Sequence, residues 1–223
     1  MNSSIFIDIG NSNAKWKYKN KYFVTSTKRF NLDDLPKSSN VWLSNVSSDF
    51  LPNNKSNVFI ARSKKRYKSL INSYESPDQL GSDRWLAMIA SYEINPNQAF
   101  AVVDIGTAVT IDAVNNAGIH LGGLIFPGLD KIRKSFDIFP VSLNKNIFSV
   151  GQSTEDAWTI GTLNLALNTI NQKVKELRVE LPDASIFLTG GGYKDIKDFL
   201  EFDHSYHEYL VLDGLEIFAN NMG

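Results

Sequence analysis

The chain has 223 residues, of which 43% are hydrophobic and 21% charged, with a formal net charge of −1. That is apolar material for one large domain or two small lobes, and the near-neutral balance supplies no field that would draw nucleic acid or an anionic membrane. The absence of cysteine excludes disulfides, thiolate metal sites and a cysteine nucleophile.

The chain starts MNSSIFIDIG. This segment has no basic leader and Asp8 interrupts its apolar run, so no signal peptide is expected. No stretch approaches the ~18–20 apolar residues of a membrane helix. A soluble, cytoplasmic protein with neither nucleic acid nor membrane as partner is expected.

From Ser4 to Val24 the pattern predicts strand, turn, strand, turn, strand. Ile5, Phe6 and Ile7 form a short buried run that ends at Asp8 and Gly10. Ala14, Trp16 and Tyr18 then alternate with Lys15, Lys17 and Lys19, the period of a half-exposed strand. Further strands are expected at 41–46 and 57–61. The basic run from Arg62 to Lys68 is read as a solvated helix face. A helix is expected over 83–94, capped by Ser82 and stopped before Pro96.

A second copy of the opening pattern begins ninety-six residues after the first, where Asp104-Ile105-Gly106-Thr107 echoes Asp8-Ile9-Gly10-Asn11. Apolar Ala99–Val103 precedes it, and a turn at Asn115–Gly118 leads to another strand. Two copies of one supersecondary unit imply two related lobes, placed at 1–97 and 98–223.

Ser153 to Asp156 reads as a helix-capping signal. Ile160, Leu163, Leu167, Ile170, Val174, Leu177 and Leu181 follow at steps of three and four, which suits a core helix or a dimer seam. Beyond Pro182 come a buried strand at 185–189, Gly190-Gly191-Gly192, a helix over 194–202, a strand over 208–212 and a last helix from Leu215. Strands mixed with crossover helices indicate an α/β fold.

An aspartate at a strand end followed by glycine leaves a tight turn that a phosphate can approach closely, and its carboxylate can hold a magnesium ion. Asn11, Ser12, Asn13 and Lys15 add neutral donors and a positive charge. One such turn is an ordinary D-x-G hairpin. Two, followed by Thr189-Gly190-Gly191-Gly192 after an apolar strand, form an ordered set. This set resembles the two phosphate loops and adenosine loop of the acetate and sugar kinase, heat-shock chaperone and actin superfamily. That fold implies two ribonuclease H-like lobes with ATP in the cleft between them. No G-x-x-x-x-G-K-[ST], G-x-G-x-x-G or G-x-S-x-G occurs. His204 and His207 stand three apart without the context of a metal site.

Four further segments narrow the resemblance. Tyr74 to Arg84 (YESPDQLGSDR), Gly122 to Gly128 (GGLIFPG), Ser153 to Ala157 (STEDA) and Leu212 to Leu215 (LDGL) resemble, in order, segments of type III pantothenate kinases. The resemblance implies a phosphotransferase with an alcohol acceptor. It would make 4′-phosphopantothenate from ATP and pantothenate, the first step towards coenzyme A, as a homodimer. It implies Asp83 as proton acceptor. Tyr74, Gly81, Ser82, Asp83, Arg84 and Thr154 would surround pantothenate. Asp8, Ile9, Gly10, Asn11, Ser12, Asn13, Ala14 and Lys15, with Thr107, would contact ATP. Asp104 would bind a monovalent cation, potassium or ammonium, and Asp8 a magnesium ion. Asn13 departs from the family, where arginine often stands. Two alternatives remain: a regulator like Bvg accessory factor that has kept the fold, and a superfamily kinase for another small substrate.

Overall fold

The computed structural model describes residues 4–36, 40–47, 57–143 and 149–221. Two five-stranded sheets of matching order account for the sequence echo. In the first, β1 (Ile5–Ile9), β2 (Asn13–Tyr18) and β3 (Lys21–Ser26) form an antiparallel meander, and β4 (Val41–Asn45) and β5 (Val58–Ile60) extend it in parallel from the other side of β1. The order is β3-β2-β1-β4-β5. Lys19 and Asn20 turn the β2–β3 hairpin with φ of 47° and 59°, the left-handed pair of a two-residue turn that matches strand twist. Ala14, Trp16 and Tyr18 lie on or against the apolar cluster of Ile5, Ile7, Ile9, Val41 and Leu43, as their alternation requires.

The chain then makes a small hairpin, β6 (Arg66–Tyr67) and β7 (Leu70–Ile71), and enters helix α1 (Ser82–Ile94). The second sheet follows with β8 (Phe100–Ile105), β9 (Ala108–Val114) and β10 (His120–Pro127). After a short helix α2 (Leu129–Arg133) and the long α3 (Thr154–Glu180) come β11 (Ser185–Thr189), α4 (Tyr193–Ile196) and β12 (Ser205–Tyr206). Its order, β10-β9-β8-β11-β12, repeats that of the first sheet. Helix α5 (Leu210–Asn220) closes the chain.

Contacts divide the chain into two units. The first holds residues 1–98, 116–122 and 209–223, and the second holds 99–115 and 123–208. In the second unit the stripe on α3 is core: Leu163, Leu167, Ile170 and Val174 pack with Val103, Ile111, Ile186 and Leu188. Ser153 caps this helix by accepting from the Asp156 N–H at 3.1 Å. In the first unit α5 packs on α1 and on β1, β2 and β4. Trp85, Leu86, Met88, Ile89, Leu212 and Leu215 are buried there, each contributing about 1.5–3 kcal/mol on removal from water.

Four local expectations are corrected. Arg62 to Lys68 is an irregular segment running into the β6–β7 hairpin rather than a helix, and Lys68 turns the hairpin with φ of 49°. Tyr67 within it is buried, with its hydroxyl donating to Glu93 at 3.0 Å, and such nonlocal anchoring overrides local pattern. Ser82 is the first residue of α1 and not its cap. Gly81 occupies that position, and the Ser82 hydroxyl instead meets that of Ser44 at 3.1 Å. The helix expected over 194–202 is one turn of α4 followed by a 3-10 turn at Lys197–Phe199. Residues 208–212 are not a strand, since Leu210 to Leu212 open α5. A short apolar run buried on every side reads the same in either conformation.

The glycine of the L-D-G-L segment has a packing role. A Cβ at Gly214 would overlap the Leu86 carbonyl oxygen, so α1 and α5 cross where only glycine fits. Helix propensity alone favours Gly→Ala by up to ~1 kcal/mol. Gly214→Ala is therefore expected to reverse that sign and destabilise by roughly 1–3 kcal/mol through overpacking. Gly161→Ala on α3, where a Cβ meets nothing within 4 Å, is expected to be neutral or stabilising. Urea unfolding of the two variants beside the parent protein checks both signs.

Candidate active site

In the first unit, the turn between β1 and β2 is built from the inside. Gly10 N–H donates to the Asn13 carbonyl at 3.0 Å. The buried Thr27 holds the turn from below, its hydroxyl donating to Gly10 O at 2.7 Å and its N–H to Ser12 O at 3.0 Å. Asn11, Ser12 and Asn13 face solvent, and Ile9 and Ala14 are buried. Asp8 stands opposite Lys15 on β2 and Ser44 on β4, so the three side chains share one face of the sheet. The Ser44–Ser82 hydrogen bond joins that face to the start of α1. The fold thus brings Asp8 beside the Gly81–Arg84 segment, which lies more than seventy residues further along.

Buried polar contacts hold the segment around α1. Ser63 donates to Gly81 O at 3.3 Å. Asn72, with no exposed surface, donates through its amide nitrogen to Pro77 O at 3.1 Å and accepts from Tyr74 N–H at 3.0 Å. A Cβ at Gly81 would stand 2.5 Å from Asp83 Oδ1, so glycine leaves room for that carboxylate. Asp83 Oδ1 accepts from the Arg84 N–H at 2.8 Å. Arg84 is buried and donates through Nη1 to the Tyr74 hydroxyl at 3.0 Å, with its guanidinium 5.8 Å from the Tyr74 ring centroid. Tyr74 stacks on the buried His120.

Three chain segments converge in the second unit. Asp104, half-buried at the end of β8, stands opposite Thr110 on β9 and Thr189 on β11. Gly106 N–H donates to Ala108 O at 3.0 Å, closing this turn much as Gly10 closes the first. Thr107 is half-buried, and its carbonyl accepts from Gly128 N–H at 3.0 Å. Gly192 N–H donates to Ile105 O at 2.8 Å. Gly190 takes φ of +95°, and a Cβ there would overlap both Asp104 Oδ1 and the Ile105 carbonyl. A Cβ at Gly128 would overlap Gly106 O. The third segment therefore presents only bare backbone to the second turn and to the Asp104 carboxylate. Tyr193 and Tyr206 stack beside it with centroids 4.0 Å apart. On α2, burial pushes the Arg133 guanidinium below its usual range against the opposing pull of Asp130 and Asp195, and it remains a cation at neutral pH.

Tyr74, Gly81, Ser82, Asp83 and Arg84 thus share the first unit with Asp8–Lys15. Asp104 and Thr107 belong to the second, as does Thr154, which lies exposed at the start of α3. Pattern reading missed Ser44, Ser63, Asn72 and His120. Each is a lone polar residue whose role comes from a distant partner, so no local signal marks it. Among the described residues no group of three or more His, Cys, Asp or Glu side chains is placed to hold a metal. No described helix is long and apolar enough to cross a membrane.

Comparison with known proteins follows the same lines. The sequence model of the type III pantothenate kinase family matches residues 38–176. That span takes in Tyr74, Gly81–Arg84, Asp104, Thr107 and Thr154, and leaves out Asp8–Lys15 and Gly190–Gly192. The type III pantothenate kinase of Hahella chejuensis is 38% identical over 171 residues, covering 73% of this chain and 68% of that protein. That of Pseudoalteromonas translucida is 34% identical over 167 residues, covering 73% and 70%. A crystal structure from Campylobacter jejuni, assigned to the Baf family of transcriptional activators, superposes with a TM-score of 0.68 at 28% identity, covering 98% of both chains. Two more distant structures share the actin-like fold. One is a Sinorhizobium meliloti protein assigned as a 2-dehydro-3-deoxygalactonokinase, with a TM-score of 0.58 at 12% identity over 98% and 96%. The other is a ParM mutant, at 0.56 and 12% over 99% and 100%.

The convergence at Gly190 is open to a direct test. Gly190→Ala forces a left-handed conformation on a residue with a Cβ and pushes on Asp104, and ATP affinity is expected to fall roughly tenfold or more. At Gly191 a Cβ meets nothing within 4 Å, and Gly191→Ala is expected to leave affinity within about twofold. Calorimetric titration with ATP compares the pair.

Proposed function

The chain belongs to the type III pantothenate kinase family, and on that footing we propose that it transfers the γ-phosphoryl group of ATP to the primary hydroxyl of pantothenate. The observation that carries this reading is the acceptor segment of the first unit. There Asp83, Arg84 and Tyr74 are held together by hydrogen bonds within one family motif.

Phosphoryl transfer asks a protein mainly for positioning and charge stabilisation. In this reading Asp83 accepts the proton of the attacking hydroxyl, which then displaces ADP in line, with no phosphoenzyme. Arg84 and Tyr74 bind the polar end of pantothenate, Gly81 and Ser82 line it, and Thr154 adds a hydroxyl. The Arg84 N–H also fixes the direction of the Asp83 carboxylate through its bond to Oδ1. The turn from Asp8 to Lys15 and Thr107 hold the nucleotide. The donors at the second turn, the Asp104 carboxylate and the Ile105 carbonyl, are oxygens, which suits a hard cation such as potassium or ammonium. Asp8 suits magnesium for the same reason. Such ions, when bound, offset negative charge on the phosphates. The reaction belongs in the cytoplasm, where its two substrates meet.

ADP release by purified protein with Mg-ATP is expected to require pantothenate and to fall when sodium replaces potassium. Asp83→Asn is expected to lower kcat by roughly 100-fold or more while ATP still binds. Near-normal turnover in that variant would remove Asp83 from its role. The second reading, a regulator that has kept the fold, is favoured by the likeness to the Campylobacter jejuni Baf family structure. Well-folded, ATP-binding protein with no turnover on pantothenate would point first to another small substrate of a superfamily kinase, and with none found would favour the regulator.

We also propose a homodimer. Ile125 on β10 is 62% exposed, apolar surface that a second copy would cover. Sedimentation is expected to give twice the chain mass, and a stable, active monomer would refute this.

A further inference from the structure

We propose that His120 is a positioning residue for the acceptor side of this site, setting the Tyr74 ring and, through it, Arg84. The proposal rests on the pantothenate kinase reading and adds to it a residue that no motif marks.

His120 has no exposed surface. It is the first residue of β10, and it sits in the short stretch 116–122 that packs with the first unit. That stretch is pinned on the hairpin side. Ile71 N–H donates to Gly118 O at 2.8 Å, and Ile71 and Ile119 form a parallel bridge. Gly118 has φ of +77°, and a Cβ there would stand 2.5 Å from Ser69 O. The backbone that delivers the imidazole therefore has little slack.

The imidazole lies nearly parallel to the Tyr74 ring, with centroids 5.9 Å apart and an interplanar angle of 18°. Its Nδ1 is 3.4 Å from the Ser73 hydroxyl. Tyr74 is thereby held along its length, with Lys65 donating to its carbonyl at 3.4 Å. Asn72 holds its backbone N–H, His120 its ring face, and Arg84 its phenol oxygen. Because that oxygen accepts from Arg84, its own proton remains to be given to an acceptor on the substrate. Any tilt of the ring redirects this proton and moves the guanidinium bonded to it. Burying an imidazole has a desolvation cost that an aliphatic side chain of similar volume avoids. Filling space is thus a poor reason for histidine here, and a flat ring with a polar edge, stacked on Tyr74, is a better one.

The test compares His120→Ala, His120→Phe and His120→Asn. If the stacked ring positions Tyr74, KM for pantothenate rises about tenfold in the Ala and Asn variants, while KM for ATP stays within about twofold. His120→Phe, which restores a flat ring, recovers most of the loss. In a Tyr74→Phe background, adding His120→Ala costs little more, because the proton it was aiming is gone. The proposal is overturned if KM for pantothenate is unchanged in His120→Ala, if both KM values rise together with a fall in Tm, or if His120→Phe is as impaired as His120→Ala. Should His120→Ala fail to fold, the Phe and Asn variants decide by the same criteria. Loss of pantothenate-dependent ADP release in the parent protein would instead sink the kinase reading, so the two failures are distinct.

Discussion

At Gly190 the chain passes so close to Asp104 and to the Ile105 carbonyl that no side chain fits between them. The arrangement of the second unit's candidate nucleotide face depends on this approach. It is repeated at Gly128 against Gly106, and Gly192 adds a hydrogen bond to the Ile105 carbonyl. The first and last of the three segments are more than eighty residues apart, and they meet there because the glycines present bare backbone to the turn and to the Asp104 carboxylate. The aspartate at the strand end is consequently framed by peptide groups, which offer N–H donors and carbonyl oxygens in fixed directions.

The first unit solves a different problem. Its candidate acceptor segment is held by side chains, and several of them are buried polar groups. Asn72, Ser44, His120 and Arg84 each lose hydration on folding, a loss that hydrogen bonds to Pro77, Tyr74, Ser82 and their neighbours offset. A network of this kind gains little net stability, yet it allows few arrangements. Site geometry needs that restriction, since a small misplacement of a reacting group costs much of the rate. Beneath it, the α1–α5 crossing at Gly214 supplies a rigid base, with the fully buried Trp85 one residue after Arg84.

The two sheets have one order and each closes its turn with a glycine N–H, but the turns differ in length and are buttressed differently. Thr27 supports the first from a 3-10 segment after β3, and Gly128 and Gly192 support the second from chain that follows β10 and β11. The repeat seen in the sequence is therefore a repeat of the sheet and its turns, and each copy has acquired its own support.

Much of this was legible in the amino-acid sequence, and for local reasons. The alternation at Ala14, Trp16 and Tyr18, the stripe from Ile160 to Leu177, the cap at Ser153 and the strand at Ser185–Thr189 depend on residues within a few positions of one another. The same holds for the two D-I-G turns and the G-S-D-R segment, whose order along the chain indicated the fold and the family. What the sequence left open depended on partners far away. Whether Leu210 to Leu212 form a strand or a helix was settled by burial against α1, because an apolar run enclosed on every side has no period to read. The basic run from Arg62 to Lys68 became part of a hairpin because Tyr67 found Glu93. Asn72 and His120, each a single polar residue with no local pattern around it, join the candidate acceptor segment only through the packing of the 116–122 stretch on the hairpin. Local patterns encode elements and turns. The pairing of buried polar groups across tens of residues is decided by tertiary structure, which alone determines which of them lose water and which partner replaces it.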